Sequence, residues 1–527
     1  MTSERLRTLT SWNADWKGLR VAVLGLSVTG FSVADTLTEL GADVLVVTEK
    51  ADEEYARLLP VIGARLWTGS LESVPAELVE FAPEVVVASP GFAPRHPLIS
   101  WAQENDIALW GDVELAWRVR DKVVRADGTP ADWILITGTN GKTTTTRLTA
   151  TMLVAGGLRA APVGNIGTPV LDAVRDPEGF DALVVELSSH QLWYLGLQDS
   201  PDPLSPHAAV CLNLADDHLE WHGSFDEYRA AKAHVYDNTR VACVYNKADA
   251  ATQAMVEDAE VVEGARAIGF DLGVPGPSDL GVVEGIVVDR AFLEDRHKSA
   301  LELTTVEELA SLGLAAPHIV ANILAAAALA RSLDVAPTAI REALRGFRLD
   351  PHRIEVVARH EGVTWVDDSK ATNPHAAASS LAAYPGAVWV VGGLLKGVDI
   401  SELVAGRGAT AKAAIVIGLD RAAVVAAFER HAPTVPVFEV DADETEVVMA
   451  QVVELAAGVA RDGDVVLLAP AAASFDQFAS YADRGRRFAA AVRDRIGTED
   501  PGDHDAAAAG PDDAPRSDDL GDAEDRG

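Results

Sequence analysis

Short runs of consecutive apolar residues, rich in valine and isoleucine, recur from one end of the chain to the other. Among them are VAVLGL (from Val21), ADVLVV (from Ala42), EVVVAS (from Glu84), WILITG (from Trp133), ALVVEL (from Ala182), VWVVGG (from Val388), AAIVIG (from Ala413) and DVVLLA (from Asp464). A strand solvated on one face alternates apolar and polar residues, whereas a strand covered on both faces reads as a continuous apolar run. Helical stretches separate these runs, so the pattern predicts β-α units in parallel sheets with helices on both faces. That many strands exceeds one sheet of ordinary size. At 527 residues the chain has room for about three domains.

Turn-rich segments place the boundaries. Arg125–Trp133 (RADGTPADW) and Gly346–Arg353 (GFRLDPHR) are the two breaks. The expected α/β organisation is a Rossmann-like unit over 1–126, a central phosphate-loop sheet over 127–348 and a C-terminal Rossmann-like domain over 349–497. From Thr498 the chain is low-complexity, with 11 acidic and 2 basic residues, and reads as a disordered acidic tail. The whole chain carries 44 basic against 80 acidic residues, a formal charge of −36. That charge argues against nucleic acid or an anionic membrane surface as the main partner. Cys211 and Cys243 sit in apolar runs without metal-ligand spacing and read as reduced core residues. The first residues lack an apolar signal core, and ILAAAALA is too short to span a bilayer. A soluble cytoplasmic protein is expected.

The segment DWILITGTNGKTTTTRL runs strand, glycine turn, helix, the context in which backbone N–H groups at a helix N-terminus face a phosphate. It lacks the usual first glycine of the longer loop, since Ile136 stands there. Gly138, Thr139, Asn140, Gly141, Lys142, Thr143 and Thr144 form the candidate nucleotide loop. Lys142 is placed for the terminal phosphates and Thr143 for Mg²⁺. Glu186, after the run ALVV, is a carboxylate at a strand end that could hold the metal. NLADDHLEWHG brings His218 to another strand end, and Lys232 follows in YRAAK. Read alone, Lys232 is a surface side chain with a buried stem.

Together these segments resemble the Mur ligase superfamily of ATP-dependent amide-forming synthetases. The resemblance rests on GTNGKT at Gly138–Thr143, ELSS at Glu186–Ser189, and Asn213, Asp217, His218, Glu220, His222 and Gly223. It extends from about residue 18 to 495. HRIEVV, WVDDSKATNP, VVGGLLKG and LLAPAAASFDQFASYADRGRRF resemble the D-glutamate-adding branch of that family. The resemblance implies an ATP-dependent acid–amino-acid ligase of peptidoglycan precursor synthesis. It would join D-glutamate to UDP-N-acetylmuramoyl-L-alanine through an acyl phosphate, as a monomer that acts on small molecules only. Lys142, Glu186, His218 and Lys232 would be catalytic. Thr143 and Glu186 would hold one Mg²⁺, and His218 and Lys232, the latter as a carbamate, a second.

The resemblance further assigns Asn322, Arg353, Asp368 and Lys370 to ATP. Thr372, Lys396, Ser474, Phe475 and Tyr481 go to D-glutamate. Ser27, Thr29, Ser89, Gly91, Asn165, Thr168 and Ser188 go to the UDP-sugar. Singly, Phe475 also reads as a core residue, Lys396 as a loop charge and Ser474 as a helix cap. Because ATP contacts would come from two domains, hinge closure near residues 347–351 is expected. Three departures from the family pattern stand out. Ser27 replaces the middle glycine of G-x-G-x-x-G, Thr48 begins the segment after the second strand, and Ile319 replaces an asparagine of the HIVAN helix start.

Other readings remain open on the sequence. Another ligase of the same superfamily would add L-alanine, a diamino acid or folyl glutamate, and a panel of amino acids separates these. A non-catalytic nucleotide-binding module would bind ATP without forming an amide. A nicotinamide dehydrogenase rests only on Gly25 and Gly30, which is weak.

Overall fold

The computed structural model describes residues 4–442 and 444–497; the expected tail at 498–527 lies outside them. The described residues form two compact units, one of residues 4–315 and 319–347, the other of residues 316–318 and 348–497. Between them they contain three sheets, as the recurring apolar runs predict.

The first sheet consists of β1 (Arg20–Leu24), β2 (Asp43–Thr48), β3 (Arg65–Thr68), β4 (Val85–Ala88) and β5 (Ala108–Gly111). All pairings are parallel, in the order β3-β2-β1-β4-β5. The order reverses between β1 and β4, and the carboxyl ends of strands at such a reversal are the usual ligand position in an open α/β sheet. Two glycines make that turn possible. Gly25 has φ 91°, and a Cβ there would stand 2.8 Å from the Ser89 hydroxyl; a Cβ on Gly30 would stand 2.2 Å from the Gly25 carbonyl oxygen. Ser27, between them, has extended backbone (φ −125°, ψ −169°), which any residue adopts. The substitution of the middle glycine is therefore sterically neutral.

The second sheet lies in the same unit. Its strands are β6 (Asp132–Thr137), β7 (Ala160–Gly164), β8 (Ala182–Glu186), β9 (Ala208–Cys211), β10 (Ala242–Asn246), β11 (Arg266–Phe270), β12 (Asp279–Val283), β13 (Ile286–Asp289) and β14 (Leu301–Thr305). They lie in the order β14-β13-β12-β11-β10-β9-β6-β8-β7. Pairing is parallel except at the β12-β13-β14 edge, an antiparallel meander that the apolar runs do not announce. Side chains of the helices beside the two sheets join them. The Arg175 guanidinium bonds Asp35 at 2.6 Å and Glu39 at 3.1 Å, the Ser32 hydroxyl bonds Asp172, and the Tyr194 hydroxyl donates to the Phe92 carbonyl. Cys211 and Cys243 are buried and unpaired, as expected.

The third sheet belongs to the other unit. It consists of β15 (Glu355–His360), β16 (Val363–Asp367), β17 (Val388–Gly392), β18 (Ala413–Ile417), β19 (Val437–Glu439) and β20 (Val465–Leu468), in the order β15-β16-β20-β17-β18-β19. Only β15 is antiparallel to its neighbour. Strands β17 and β18 are buried throughout, with helices packed on both faces. Among the described residues no helix is long and apolar enough to cross a membrane.

Replacing Gly30 by alanine forces a methyl group onto the Gly25 carbonyl, and overpacking of this kind costs about 1–3 kcal/mol. The lowest thermal transition of Gly30→Ala should move down by several degrees in scanning calorimetry. An unchanged profile would show that the turn relaxes freely.

Candidate functional site

The turn after β6 is built by glycine. Gly138 (φ 152°) would place a Cβ 3.0 Å from that of Leu212, and Gly141 (φ 86°) would place one 2.6 Å from the Asn322 amide oxygen. The helix Lys142–Ala155 begins there with no side-chain cap, so its first backbone N–H groups stay available to an anion. Lys142 Nζ donates to the Gly138 and Thr139 carbonyls at 3.1 and 3.0 Å. Asn213, at the end of β9, holds the loop from the side. Its amide accepts from Asn140 N at 2.9 Å and donates to Asn140 O at 3.0 Å, while its own carbonyl accepts from Thr139 N. Tyr228 adds a 2.8 Å bond between its hydroxyl and that of Thr139. Sequence reasoning gave Asn213 and Tyr228 no role; Asn213 was visible only as the first residue of the NLADDHLEWHG segment.

Glu186 and Lys232 add two buried ionisable side chains, one on the strand paired with β6 and one bonded to the loop itself. Glu186 ends β8, in register with Ile136 of β6, and is 1% exposed. One carboxylate oxygen accepts from Asn165 Nδ2 at 3.1 Å; the other, Oε2, is buried with no hydrogen-bond partner among the described residues. A buried, half-satisfied carboxylate beside a phosphate loop is the donor an oxygen-preferring divalent cation takes. Lys232, on the helix Phe225–Ala233, is 2% exposed, against the surface reading of that residue alone. Its Nζ donates to the Thr137 hydroxyl at 3.1 Å and the Gly138 carbonyl at 3.0 Å. Fully buried lysines are rare, and this one touches the phosphate loop itself.

His218 has left-handed backbone (φ 51°) and a partly exposed side chain with Nε2 3.6 Å from Asp217. Its ring meets the His190 ring edge-on at 4.8 Å. His222, buried one turn later, pairs with the Ser189 hydroxyl at 2.9 Å. Burial, with the charges of His190, His218 and Lys232 adding to it, lowers its pKa to about 3, so it is a neutral imidazole at physiological pH.

At the first sheet, Ser27 stands at the N-cap and Thr29 in the first turn of the helix Val28–Glu39 after β1, and Ser89 and Gly91 sit on the loop after β4, at the point where strand order reverses. The Ser89 hydroxyl is buried without a partner among the described residues. Thr48 closes the loop after β2 by donating to the Lys50 carbonyl at 2.8 Å. Asn165 and Thr168 follow β7, where Thr168 O accepts from Gly164 N. Ser188 forms a capping box with Gln191 at the helix Ser189–Leu195. Gln191 Nε2 then donates to Asp112 at 3.1 Å, which ties the start of that helix to the end of β5. Burial raises the Asp112 pKa to about 6, against the opposing bond from Gln191, and its second oxygen has no hydrogen-bond partner among the described residues. Ile319 is buried, where the family pattern has asparagine, while Asn322 lies against Gly141.

The remaining candidates occupy the second unit. Asp368 follows β16, is buried, bonds the Ser380 hydroxyl and accepts from Ile354 N at 3.3 Å. Burial raises its pKa to about 6. Lys370 Nζ lies 3.8 Å over the Tyr481 ring, and Thr372 follows in the same loop. Lys396 (φ 51°) lies after β17, its Nζ 6.0 Å over the Phe475 ring. Phe475 is exposed and Ser474 buried, so Phe475 is no core residue. The loops after β17 and β20 touch through a reciprocal pair of 3.0 Å backbone bonds between Leu394 and Ala473. Arg484 is wholly buried and bonds Ser369 Oγ and O, each at 2.9 Å, and Ala472 O at 3.1 Å. Sequence reasoning missed it, although it stands in the RGRRF segment.

Three family profiles match the chain. They are described as Mur ligase MurD-like, N-terminal domain, over residues 19–111; Mur ligase middle domain, over 136–330; and Mur ligase, glutamate ligase domain, over 352–472. The chain is 63% identical to a UDP-N-acetylmuramoylalanine–D-glutamate ligase of Leifsonia xyli, across 94% of this chain and 96% of that one. It is 49% identical to the protein of the same name from Streptomyces coelicolor, across 91% and 99%. Among solved structures it resembles MurF from Acinetobacter baumannii, with TM-score 0.53, 17% identity and 90% of each chain covered. A pseudomurein peptide ligase type C from Methanothermus fervidus gives TM-score 0.51 and 17% identity, covering 89% of this chain and 99% of that one. At such identities the structures establish the fold alone.

Asp112 supplies a pH-dependent test. Its carboxyl has a higher pKa in the folded protein, about 6, than its ordinary value of 3.8. Above pH 6 the native state therefore carries the full cost of a buried charge, and below about pH 4 that cost vanishes. The Asp112→Asn variant should be more stable than the parent at pH 7.5 by up to ~3 kcal/mol. The gain should fade between pH 6 and 4 in thermal melts; a gain independent of pH would contradict the assignment.

Proposed function

Because the chain belongs to the Mur ligase family, we propose that it catalyses the ATP-dependent joining of D-glutamate to UDP-N-acetylmuramoyl-L-alanine, in peptidoglycan precursor synthesis. The observation that carries this reading is a phosphate loop bonded directly by the buried Lys232, with the half-satisfied carboxylate of Glu186 at the end of the strand paired with β6. The relatives that share most of this chain's length bear that ligase's name.

The acceptor carboxylate attacks the γ-phosphorus of ATP, the bond to the β,γ-bridging oxygen breaks, and ADP leaves. The amine of D-glutamate then adds to the acyl phosphate, loses a proton, and inorganic phosphate departs from the tetrahedral intermediate. The first step brings two anions together, so cations and fixed dipoles govern its rate. Lys142 supplies the ammonium at the terminal phosphates. The uncapped N-terminus of the helix Lys142–Ala155 orients the chain of phosphates, while the Thr139 and Asn140 N–H groups are held by Asn213. Thr143 and Glu186 would hold one Mg²⁺, and His218 with Lys232, as its carbamate, a second. Bound there, Mg²⁺ would neutralise charge on the γ-phosphate and the acceptor carboxylate.

A carbamate on Lys232 keeps one N–H for the acceptors its amine now reaches and adds two anionic oxygens. Asn165 orients Glu186 through its 3.1 Å bond. His218, partly exposed beside Asp217, can move a proton where it is not committed to metal. Ser27, Thr29, Ser89 and Gly91 serve the UDP end of the acceptor, and Thr168 and Ser188 its muramoyl end. In the second unit Arg353, Asp368 and Lys370 serve ATP. Thr372, Lys396, Ser474, Phe475 and Tyr481 serve D-glutamate, with the Lys396 ammonium matched to a substrate carboxylate.

Phosphate release should depend on UDP-N-acetylmuramoyl-L-alanine and D-glutamate together. Activity with L-alanine or a diamino acid in place of D-glutamate would sink the assignment. The Lys142→Ala and Glu186→Gln variants should lose about 10²–10³ in kcat. Lys232→Ala should lose activity that short carboxylic acids partly restore, and full activity without them would remove the carbamate from the mechanism.

A further inference from the structure

Two residues that are not glycine adopt left-handed backbone just before β15: His352 (φ 64°) and Ile354 (φ 48°), one on each side of Arg353. Histidine tolerates that region moderately well, whereas a β-branched residue there is a steric outlier. Such strain persists only where the surroundings hold it, and it gathers at functional positions. Here the holding contacts are plain. His352 Nδ1 lies 2.7 Å from Asp367 Oδ2, and Asp367 is wholly buried at the end of β16. The other Asp367 oxygen accepts from Ser369 N at 2.8 Å, which fixes the carboxylate plane. His352 N donates to Glu355 at 2.9 Å. Its carbonyl accepts from Lys370 N at 3.2 Å, and Ile354 N reaches Asp368.

The C-terminal helix Tyr481–Ile496 packs over this pair only because residue 485 is glycine. A Cβ on Gly485 would stand 2.2 Å from His352 Nδ1 and 2.6 Å from Asp367 Oδ2. Every contact of the knot therefore reaches a residue adjacent to, or identical with, one of three polar side chains: Arg353, Asp368 and Lys370. Arg353 is also near enough to Asp368 to oppose, by its charge, the effect of burial on that carboxyl.

We propose that His352, anchored by Asp367, is the positioning residue that presents Arg353 and Lys370 to the phosphates of ATP. The assignment rests on the reading above, in which Arg353, Asp368 and Lys370 meet the nucleotide. His352 touches no reacting atom. It works by holding the backbone of its neighbours in a conformation they would not adopt alone.

The test uses the full chain and three variants. Asparagine tolerates left-handed backbone and carries a side-chain N–H where histidine carries Nδ1–H, so His352→Asn should keep the KM for ATP within about twofold of the parent. His352→Ala removes the donor and should raise that KM about tenfold or more, as misplaced binding groups do. The KM for the UDP-linked acceptor should stay nearly unchanged. Because His352 acts through Arg353 as well as Lys370, the double variant His352→Ala with Arg353→Ala should weaken ATP binding by less than the sum of the two single losses.

Equal effects of His352→Asn and His352→Ala would overturn the proposal. So would additive losses in the double variant, or a parallel rise in both KM values with a lowered melting point. Where His352→Ala folds poorly, Asp367→Asn takes its place with the same expectations. If the parent shows no D-glutamate-dependent phosphate release, the functional reading falls. The same comparisons made on ATP binding by calorimetry then decide the role of His352 by themselves.

Discussion

The turn between β6 and the helix that begins at Lys142 constrains everything else at the candidate site. Both of its glycines are obligatory, because Leu212 and Asn322 occupy the space a side chain would need. With the turn so tight, the Gly138 and Thr139 carbonyls face inward and must be satisfied. Two lysines satisfy them: Lys142 reaches both, and Lys232 also reaches Gly138. The loop is thus held by two lysine nitrogens, in a chain whose formal charge is −36. Net charge describes solubility; the local placement of cations decides which anions the site can bring together.

Positive charge alone would bind phosphate without directing chemistry. The register of β6, β8 and β9 adds the complementary groups, because each strand delivers one polar residue at its carboxyl end. Glu186 comes from β8 and Asn213 from β9, on either side of the β6 turn. Asn213 is committed to the loop through three bonds. Glu186 is committed through only one of its oxygens. The difference between a satisfied amide and a half-satisfied carboxylate, on neighbouring strands, separates scaffold from reactive group.

Much of this was legible in the sequence for a physical reason. Strands buried on both faces must be apolar throughout, so β1, β2, β4, β6, β8, β17, β18 and β20 announce themselves. The β12–β14 edge does not, because strands such as LELTT and DLGVV mix polar and apolar residues and carry no continuous run. The phosphate loop was visible because its chemistry is local to six residues. Asn213, Tyr228 and Arg484 were not assigned, because their partners lie 73 to 115 residues away in sequence and neither member of a pair is unusual by itself. Ser27 looked like a defect of the glycine pattern until the backbone angles showed that only the outer two glycines are needed. Phe475, which the resemblance assigned to D-glutamate, taken singly also read as a core residue, and its exposure excludes that second reading.

Buried arginines organise the loops around all three sheets, and their choice over lysine follows from geometry. Arg118 bonds the Leu6 and Leu9 carbonyls together with Glu114. Arg331 bonds Asp289 of β13 together with the Val335 and Phe292 carbonyls. Arg484 bonds Ser369 and the Ala472 carbonyl. In each case one side chain gathers groups from segments far apart in the chain, which requires several donors in a fixed plane. A guanidinium presents five, while an ammonium presents three on a single atom. Burying such a charge is unfavourable unless every donor finds an acceptor; backbone carbonyls in loops are acceptors that would otherwise lack partners. The two deficits offset one another in part when they are placed together. An acidic protein can therefore bury arginines at its loops at reduced cost where the carbonyls around them point inward, although burial still lowers the Arg484 pKa to about 10.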